Sequence, residues 1–264
     1  MLDYAHKPVS TRARSWALVA GASEGLGAAW AEGLAAAGHS LILLARRQAV
    51  LDEVAAKLRG SVEVVTAAVD LGAAELRDKV APLLEGRPLD VLVYNAAFSP
   101  VGPFLSHTPD QSRAALDVNC RAPVELCHLV LPGMVERKRG AVVLMSSLTA
   151  FQGTAYTAVY GATKAFNLSL AEALWAELRG TGVEVMACCA GATRTQSYLK
   201  AVPNGAPGEL EPGDVVREAL ARLHGPTMIP GRFNRFASFV MTRFMSRRRA
   251  VLTMASQTTK RLQA

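Results

Sequence analysis

The sequence predicts an α/β domain, a doubly wound parallel sheet with helices on both faces. Three observations predict it. Short, continuous apolar runs alternate with amphipathic stretches from Ser15 to about Arg222, the pattern of strands buried on both faces and separated by covering helices. Half of the 264 residues are hydrophobic, Gly and Ala are plentiful, and only 6% are aromatic, a composition that suits helices packed closely on a buried sheet. The first apolar run ends in a glycine-rich turn that opens a helix, which is where such sheets hold ligands.

The elements follow in order. Residues 15–20 read as a strand and 26–37 as a helix; 40–45 is the second strand, with a helix running to Leu58. Residues 62–69 make the third strand, and 90–94, introduced by Pro88, the fourth. A helix over 112–136 leads to the fifth strand, 141–146. A long helix over 156–179 stops near Gly180, and 183–189 is the sixth strand. This is a single Rossmann-type domain over residues 15–225, with an extension at 1–14 and a basic amphipathic helical tail at 226–264. Residues 196–213, rich in Gly, Pro and Asn, are too irregular for a core element. They follow the sixth strand and read either as a lid over the site or as an ordinary surface loop.

Bulk properties exclude several classes. No apolar run approaches the ~18–20 residues of a membrane-spanning helix. Residues 1–15 are polar and lack the apolar core of a signal peptide, so a cytoplasmic protein is expected. Cys120, Cys127, Cys188 and Cys189 contain no C-x-x-C pair and read as reduced core cysteines, and the five histidines lack metal-ligand spacing, so no metal is expected. The net charge of +7 is localised. From Ala219 onward nine of the 29 basic residues occur with no acidic one, which leaves 20 basic against 22 acidic residues in the rest. A nucleic-acid-binding body is not supported.

The chemistry lies at the strand ends. Gly21-Ala22-Ser23-Glu24-Gly25-Leu26-Gly27 is a G-x-x-x-G-x-G turn between the first strand and its helix. Glycines there permit a tight turn and close approach of backbone to a pyrophosphate, which the helix N-terminus attracts. The second strand ends in Ala45-Arg46-Arg47 with no carboxylate for ribose hydroxyls. A guanidinium matches a 2′-phosphate in charge and fork geometry, so NADP(H) is favoured over NAD(H); otherwise Arg46 and Arg47 cap a solvated turn. Asp70-Leu71 and Asn95-Ala96-Ala97 end the third and fourth strands. Asn119 lies mid-helix, where Asn needs a reason. Ser146-Ser147 ends the fifth strand, and Tyr160 and Lys164 share one face of the next helix. A phenol beside an ammonium is a candidate general acid/base.

With these residues in place, the chain resembles the short-chain dehydrogenase/reductase family of the Tyr-x-x-x-Lys type. The match runs through Gly21, Gly25, Gly27, Asp70, Asn95-Ala96-Ala97, Asn119, Ser147, Tyr160, Lys164, Gly191 and Thr195 in the family's order. The resemblance implies that Tyr160 exchanges a proton with the substrate oxygen, that Lys164 lowers the Tyr160 pKa and holds the nicotinamide ribose, and that Ser147 hydrogen-bonds the substrate oxygen. It implies that Asn119 holds a water linking Lys164 to solvent. Gly21, Ser23, Gly25, Leu26 and Gly27 are then expected at the cofactor phosphates, Arg46 and Arg47 at the 2′-phosphate, and Asp70 and Leu71 at the adenine. Asn95, Ala96, Ala97, Gly191, Thr193 and Thr195 complete the expected cofactor contacts. Three positions depart from the family pattern: Ala20 for Thr, Ala97 for Gly and Ala190 for Pro. A homodimer or homotetramer is implied.

The expected activity is the interconversion of a carbonyl and a secondary alcohol on a small, fairly apolar molecule, with Phe98, Phe104 and Phe151 near the site. A 3-oxoacyl thioester or a steroid-like alcohol would fit. A regulator or scaffold that binds NADP(H) without turnover is the alternative of a different class. In the tail, Phe233, Phe236, Val240 and Phe244 approximate one helical stripe among arginines. That stripe packs on the domain or on a partner subunit, or else attaches peripherally to an anionic membrane.

Overall fold

The computed structural model describes residues 15–202 and 205–263. The extension at 1–14, and Pro203 and Asn204 of the expected lid, lie outside the described residues. The first half contains β1 (Trp16–Ala20), α1 (Gly25–Ala36), β2 (Ser40–Ala45), α2 (Gln48–Leu58), β3 (Val64–Ala68), α3 (Leu76–Leu84) and β4 (Leu89–Tyr94). The second half begins with α4 (Pro109–Leu116), α5 (Ala122–Glu136), β5 (Gly140–Ser147), α6 (Ala158–Glu177) and β6 (Val183–Ala190). It ends with α7 (Gln196–Ala201), α8 (Pro212–Leu220), β7 (Thr227–Met228), α9 (Arg232–Phe244) and α10 (Arg247–Gln263).

The seven strands form one sheet in the order β3-β2-β1-β4-β5-β6-β7, and all the pairings are parallel. Alternate side chains of each strand enter opposite apolar layers. Ala17 and Val19 of β1 join Trp30 and Leu34 of α1 on one face. Trp16, Leu18 and Ala20 join Leu126 and Val130 of α5 on the other. Strand order reverses where β1 lies between β2 and β4, and the crevice beyond the carboxyl ends of those strands is where a sheet of this kind binds its ligand.

Four differences from the sequence reading have physical causes. The two-residue β7 adds to the sheet from a segment assigned to the tail, because Ala187 N–H donates to Pro226 O and Cys188 pairs with Met228. The lid segment opens with a helical turn, α7, whose start is capped by the Thr195 hydroxyl accepting from Tyr198 N–H. The short α3 went unmarked because its nine residues carry only a brief apolar period and include Pro82. The expected helix over 112–136 is divided by a π-turn, Asp117–Arg121, in which the Ala122 N–H reaches back to Asp117 O.

Candidate active site

The cradle at the end of β1 is shaped by what its glycines leave out. Gly21 has φ +84°, and a Cβ there would lie 2.6 Å from Ala96 N. Gly25 has φ +57° and faces the Thr195 side chain. A Cβ on Gly27 would sit 1.9 Å from Gly21 O, so the first turn of α1 can pack directly on the loop only as glycine. Asn95 Nδ2 donates to the same Gly21 carbonyl at 2.8 Å, and Asn95 and Ala96 N–H groups both donate to Ala20 O. The turn is thereby fixed to the end of β4 without any help from residue 20's side chain.

This cradle opens into a groove of about 1030 Å³ along the carboxyl edge of the sheet. Gly21, Ser23, Gly25 and Leu26 line it at one wall, Arg46, Arg47, Asp70 and Leu71 at the far end, and Asn95, Ala96, Ala97 and Thr195 at the floor and near side. Twelve of the expected cofactor contacts therefore meet in one cavity. Arg47 is held by Glu24 at 3.1 Å, whereas the exposed Arg46 has no carboxylate partner among the described residues. Five expected contacts do not line the groove: Tyr160 and Lys164, and three others. Gly27 lies buried beneath the turn, Gly191 backs onto Asn234, and Thr193 is buried with its hydroxyl donating to Gly191 O.

The proton-transfer candidates sit where β5 meets α6. Ser146 Oγ donates to Lys164 O at 2.8 Å, and Lys164 Nζ donates to Met145 O at 2.8 Å, so strand and helix are joined twice at this level. Lys164 is 3% exposed. Its ammonium stands 5.5 Å from the centre of the Tyr160 ring, over the ring rather than at the hydroxyl. Burial lowers the Lys164 pKa to about 8, opposed by Cys120 and Cys189. Burial raises the Tyr160 phenol above its ordinary value, opposed by a hydrogen bond with Ser147. The expected lowering of Tyr160 by Lys164 is thus corrected for this arrangement. Burial sets the direction at Tyr160, and the Lys164 ammonium donates to the Met145 carbonyl instead. Tyr160 as a whole residue is only partly buried. A phenol and an amine of moderate basicity, one helical turn apart and beside a serine hydroxyl, can exchange a proton with an oxygen bound between them.

Asn119 is fully buried inside the π-turn. Its Oδ1 accepts from Phe98 N–H, and its Nδ2 donates to Phe98 O and to Thr163 Oγ1, at 2.8–3.0 Å. Its side chain thus ties the loop after β4 to α6 beside Lys164, and both amide hydrogens are committed. The Tyr94 phenol, which sequence reasoning passed over, donates to Val118 O within the same turn. Tyr94 is a strand residue of a buried core in every sequence pattern, and nothing in its spacing distinguishes it. Gly102 N–H donates to Tyr156 O, and Tyr156 adopts φ +65°, a conformation unfavourable for an aromatic residue. Of the three aromatic residues expected near the site, Phe98 lines the groove, Phe151 packs partly buried, and Phe104 is exposed.

The described residues include no cluster of acidic, His or Cys side chains that could hold a metal ion. The cradle and groove suit a dinucleotide: closely approaching backbone at the glycine turn, a helix N-terminus, and at the far end a guanidinium with no carboxylate partner among the described residues. Comparison with known proteins agrees. Residues 15–204 match the short chain dehydrogenase family. A 7beta-hydroxysteroid dehydrogenase from Collinsella aerofaciens is 32% identical over 216 residues, which cover 79% of this chain and 82% of that protein. A solved 7beta-hydroxysteroid dehydrogenase superposes with a TM-score of 0.86 at 28% identity, covering 91% of this chain and 96% of the other. A short-chain dehydrogenase from Sphingobium yanoikuyae, solved in complex with NADPH, superposes with a TM-score of 0.73 at 31% identity, over 81% of this chain and 87% of that one. The chain belongs to the short-chain dehydrogenase family and is an NAD(P)-dependent oxidoreductase acting on the CH–OH/C=O couple.

Proposed function

We propose that this oxidoreductase uses NADP(H), takes a bulky, apolar carbonyl or secondary alcohol, and employs Tyr160 as its general acid/base. The observation that carries the reading is the meeting of Ser147, Tyr160 and Lys164 at the carboxyl end of β5. When bound, the nicotinamide supplies or accepts the hydride. In the reducing direction, the Tyr160 hydroxyl gives its proton to the substrate oxygen while Ser147 Oγ hydrogen-bonds the same oxygen, so negative charge never accumulates there. Lys164 and Tyr160 hold the nicotinamide ribose. Asn119 acts through Thr163 and Phe98, fixing α6 and the cleft wall relative to each other. Arg46, without a carboxylate partner among the described residues, takes the 2′-phosphate; Arg47, engaged with Glu24, contributes less.

The apolar preference is supported by Phe98 in the groove. It agrees with the substrate named for the steroid dehydrogenase relative. NADPH consumption against a panel of bulky ketones, 3-oxoacyl thioesters and small polar carbonyls, with NADH in parallel, tests it. Turnover concentrated on the bulky members with NADPH supports the reading. Nucleotide binding without turnover anywhere on the panel favours the non-catalytic binder.

Beyond the cleft, the reading is of a cytoplasmic homodimer or homotetramer. Exposed Leu105, Leu116 and Phe166 support self-association, to be checked by sedimentation velocity. Tail helix α9 is turned inside out. Asn234 and Ser238 face inward, while Phe233, Phe236, Phe239 and Phe244 are 54–75% exposed with Arg232 and Arg243 among them. Peripheral contact with an anionic membrane fits this Phe/Arg surface. Cosedimentation with anionic but not neutral vesicles, lost at high salt, is the expected result.

A further inference from the structure

We propose that Asn234, on the tail helix α9, is a positioning residue that holds the segment after β6 against the groove. Resting on the NADP(H) reading above, the inference assigns the tail a part in nucleotide binding. Asn234 is 4% exposed, although it is polar and lies outside the residues that line the groove. Its Nδ2 donates to Gly208 O at 3.0 Å and to Pro230 O at 3.1 Å, which uses both amide hydrogens. Two glycines of the segment yield to this side chain. A Cβ on Gly191 would stand 2.8 Å from Nδ2, and one on Gly208 would stand 2.7 Å from Oδ1. Any larger residue at either position would push the segment off the tail.

The two ends of the segment are joined to each other. Leu210 N–H donates to Ala192 O, Arg194 N–H donates to Leu210 O, and Thr193 bridges Leu210. The Arg194 side chain adds ion pairs to Glu209 and Glu211. At its far side Thr195 lines the groove and packs against Gly25 of the phosphate turn. The other half of the clasp is anchored to the domain body. Glu218 of α8 accepts from Gly231 N–H and pairs with Arg235 at 2.7 Å, which fixes the first turn of α9. Asn234 is therefore the junction through which the body, by way of α9, sets the position of Thr195 against the cradle. Without it the segment samples positions away from the groove, and apparent nucleotide affinity falls by the fraction of time it is misplaced.

The test is NADP+ and NADPH affinity of the full chain by fluorescence titration at 15 °C, with steady-state kinetics and far-UV circular dichroism. Asn234→Ala should weaken nucleotide binding about tenfold and raise the nucleotide KM in proportion, with kcat at saturating nucleotide held within about twofold. Asn234→Ser, which keeps one donor in a smaller side chain, should lose only part of that affinity. Asn234→Asp should lose the most at pH 8 and recover on acidification, because a protonated carboxyl regains one donor toward the carbonyls. Thr242→Ala, on the same helix and exposed, should match the unmodified chain. A lower melting temperature with unchanged nucleotide affinity and KM in Asn234→Ala would overturn the proposal. If that variant does not fold, unchanged affinity in Asn234→Ser overturns it equally. Failure of the unmodified chain to bind either nucleotide would instead overturn the NADP(H) reading on which the inference rests.

Discussion

The two ends of the sheet are built from the same strands and end differently. At the amino edge, Ser15 Oγ donates to Asp90 and lies 2.8 Å from His39 Nδ1, while Arg139 pairs with the same Asp90. These polar groups satisfy one another, and both His39 and Asp90 are buried. At the carboxyl edge, Arg46, Asp70 and Asn95 line an open groove, and the backbone makes room by means of glycines and a π-turn. The apolar interior is continuous between the two ends, so it sets neither. What differs is whether the loop residues spend their hydrogen bonds on each other or hold them for a ligand. In a parallel sheet all loops of one kind gather at one edge, and so function concentrates at the carboxyl end.

Substitutions at the two edges should therefore separate activity from stability. Among substitutions that separate the two edges, the largest effect is expected at Lys164. Lys164→Met should reduce NADPH-dependent turnover by about a thousandfold, the size of a lost proton-transfer partner. It should also raise thermal stability near pH 7, because a buried ammonium is removed. The folded pKa of about 8 lies below the ordinary value of 10.5, so the unfolded chain binds more protons between those values. The stability of the unmodified chain should consequently rise with pH across that window, and the advantage of Lys164→Met should fade there. Melting curves from pH 7 to 10.5 check both signs. A variant that is inactive and also less stable throughout would undo the contrast drawn here.

Arg46→Ser comes next, acting at the open edge without touching the core. Its loss of a charge-assisted hydrogen bond should shift the NADPH/NADH ratio of kcat/KM toward NADH by about 10- to 100-fold. Arg47→Ser should shift it less, since that guanidinium is engaged by Glu24. An equal shift from the two variants would show that the Glu24 pair does not divide their roles.

The smallest effect belongs to the closed edge. Burial holds His39 below the ordinary histidine value, with Asp90 opposing and Arg139 adding to the lowering. Its neutral form thus supports the fold above about pH 6.5, and that support is lost as pH falls through the folded pKa. Denaturant titrations between pH 7 and 5 should show stability falling with acid, with a flatter slope in His39→Gln and nucleotide KM unchanged. An altered KM in that variant would mean that the two edges are coupled.

Much of this division was legible in the sequence, and the reasons are local. A glycine turn, a strand-end arginine pair and Tyr160 with Lys164 at helical spacing announce themselves because their chemistry depends on residue type and short spacing. Asn95 and Asn119 were legible as positions but not as actions, since their partners, Gly21 O and Phe98, are distant along the chain. The direction of the Tyr160 pKa was missed for the same reason: spacing shows a nearby cation, but only packing shows how dry the phenol is. Asn234 and Ser238 offered no signal at all. A helix pattern of aromatics and arginines predicts apolar side inward, whereas the loop carbonyls it must meet required polar residues inside.

The central claim is that Tyr160 moves the proton beside a bound nicotinamide, and Tyr160→Phe tests it most directly. The variant removes one hydroxyl and keeps the ring over which the Lys164 ammonium stands. NADPH affinity and turnover on the best carbonyl from the panel should be measured on the same preparation. The account predicts affinity within about twofold of the unmodified chain and turnover lower by about a hundred- to ten-thousandfold. Turnover at the unmodified rate, with NADPH bound, would contradict it.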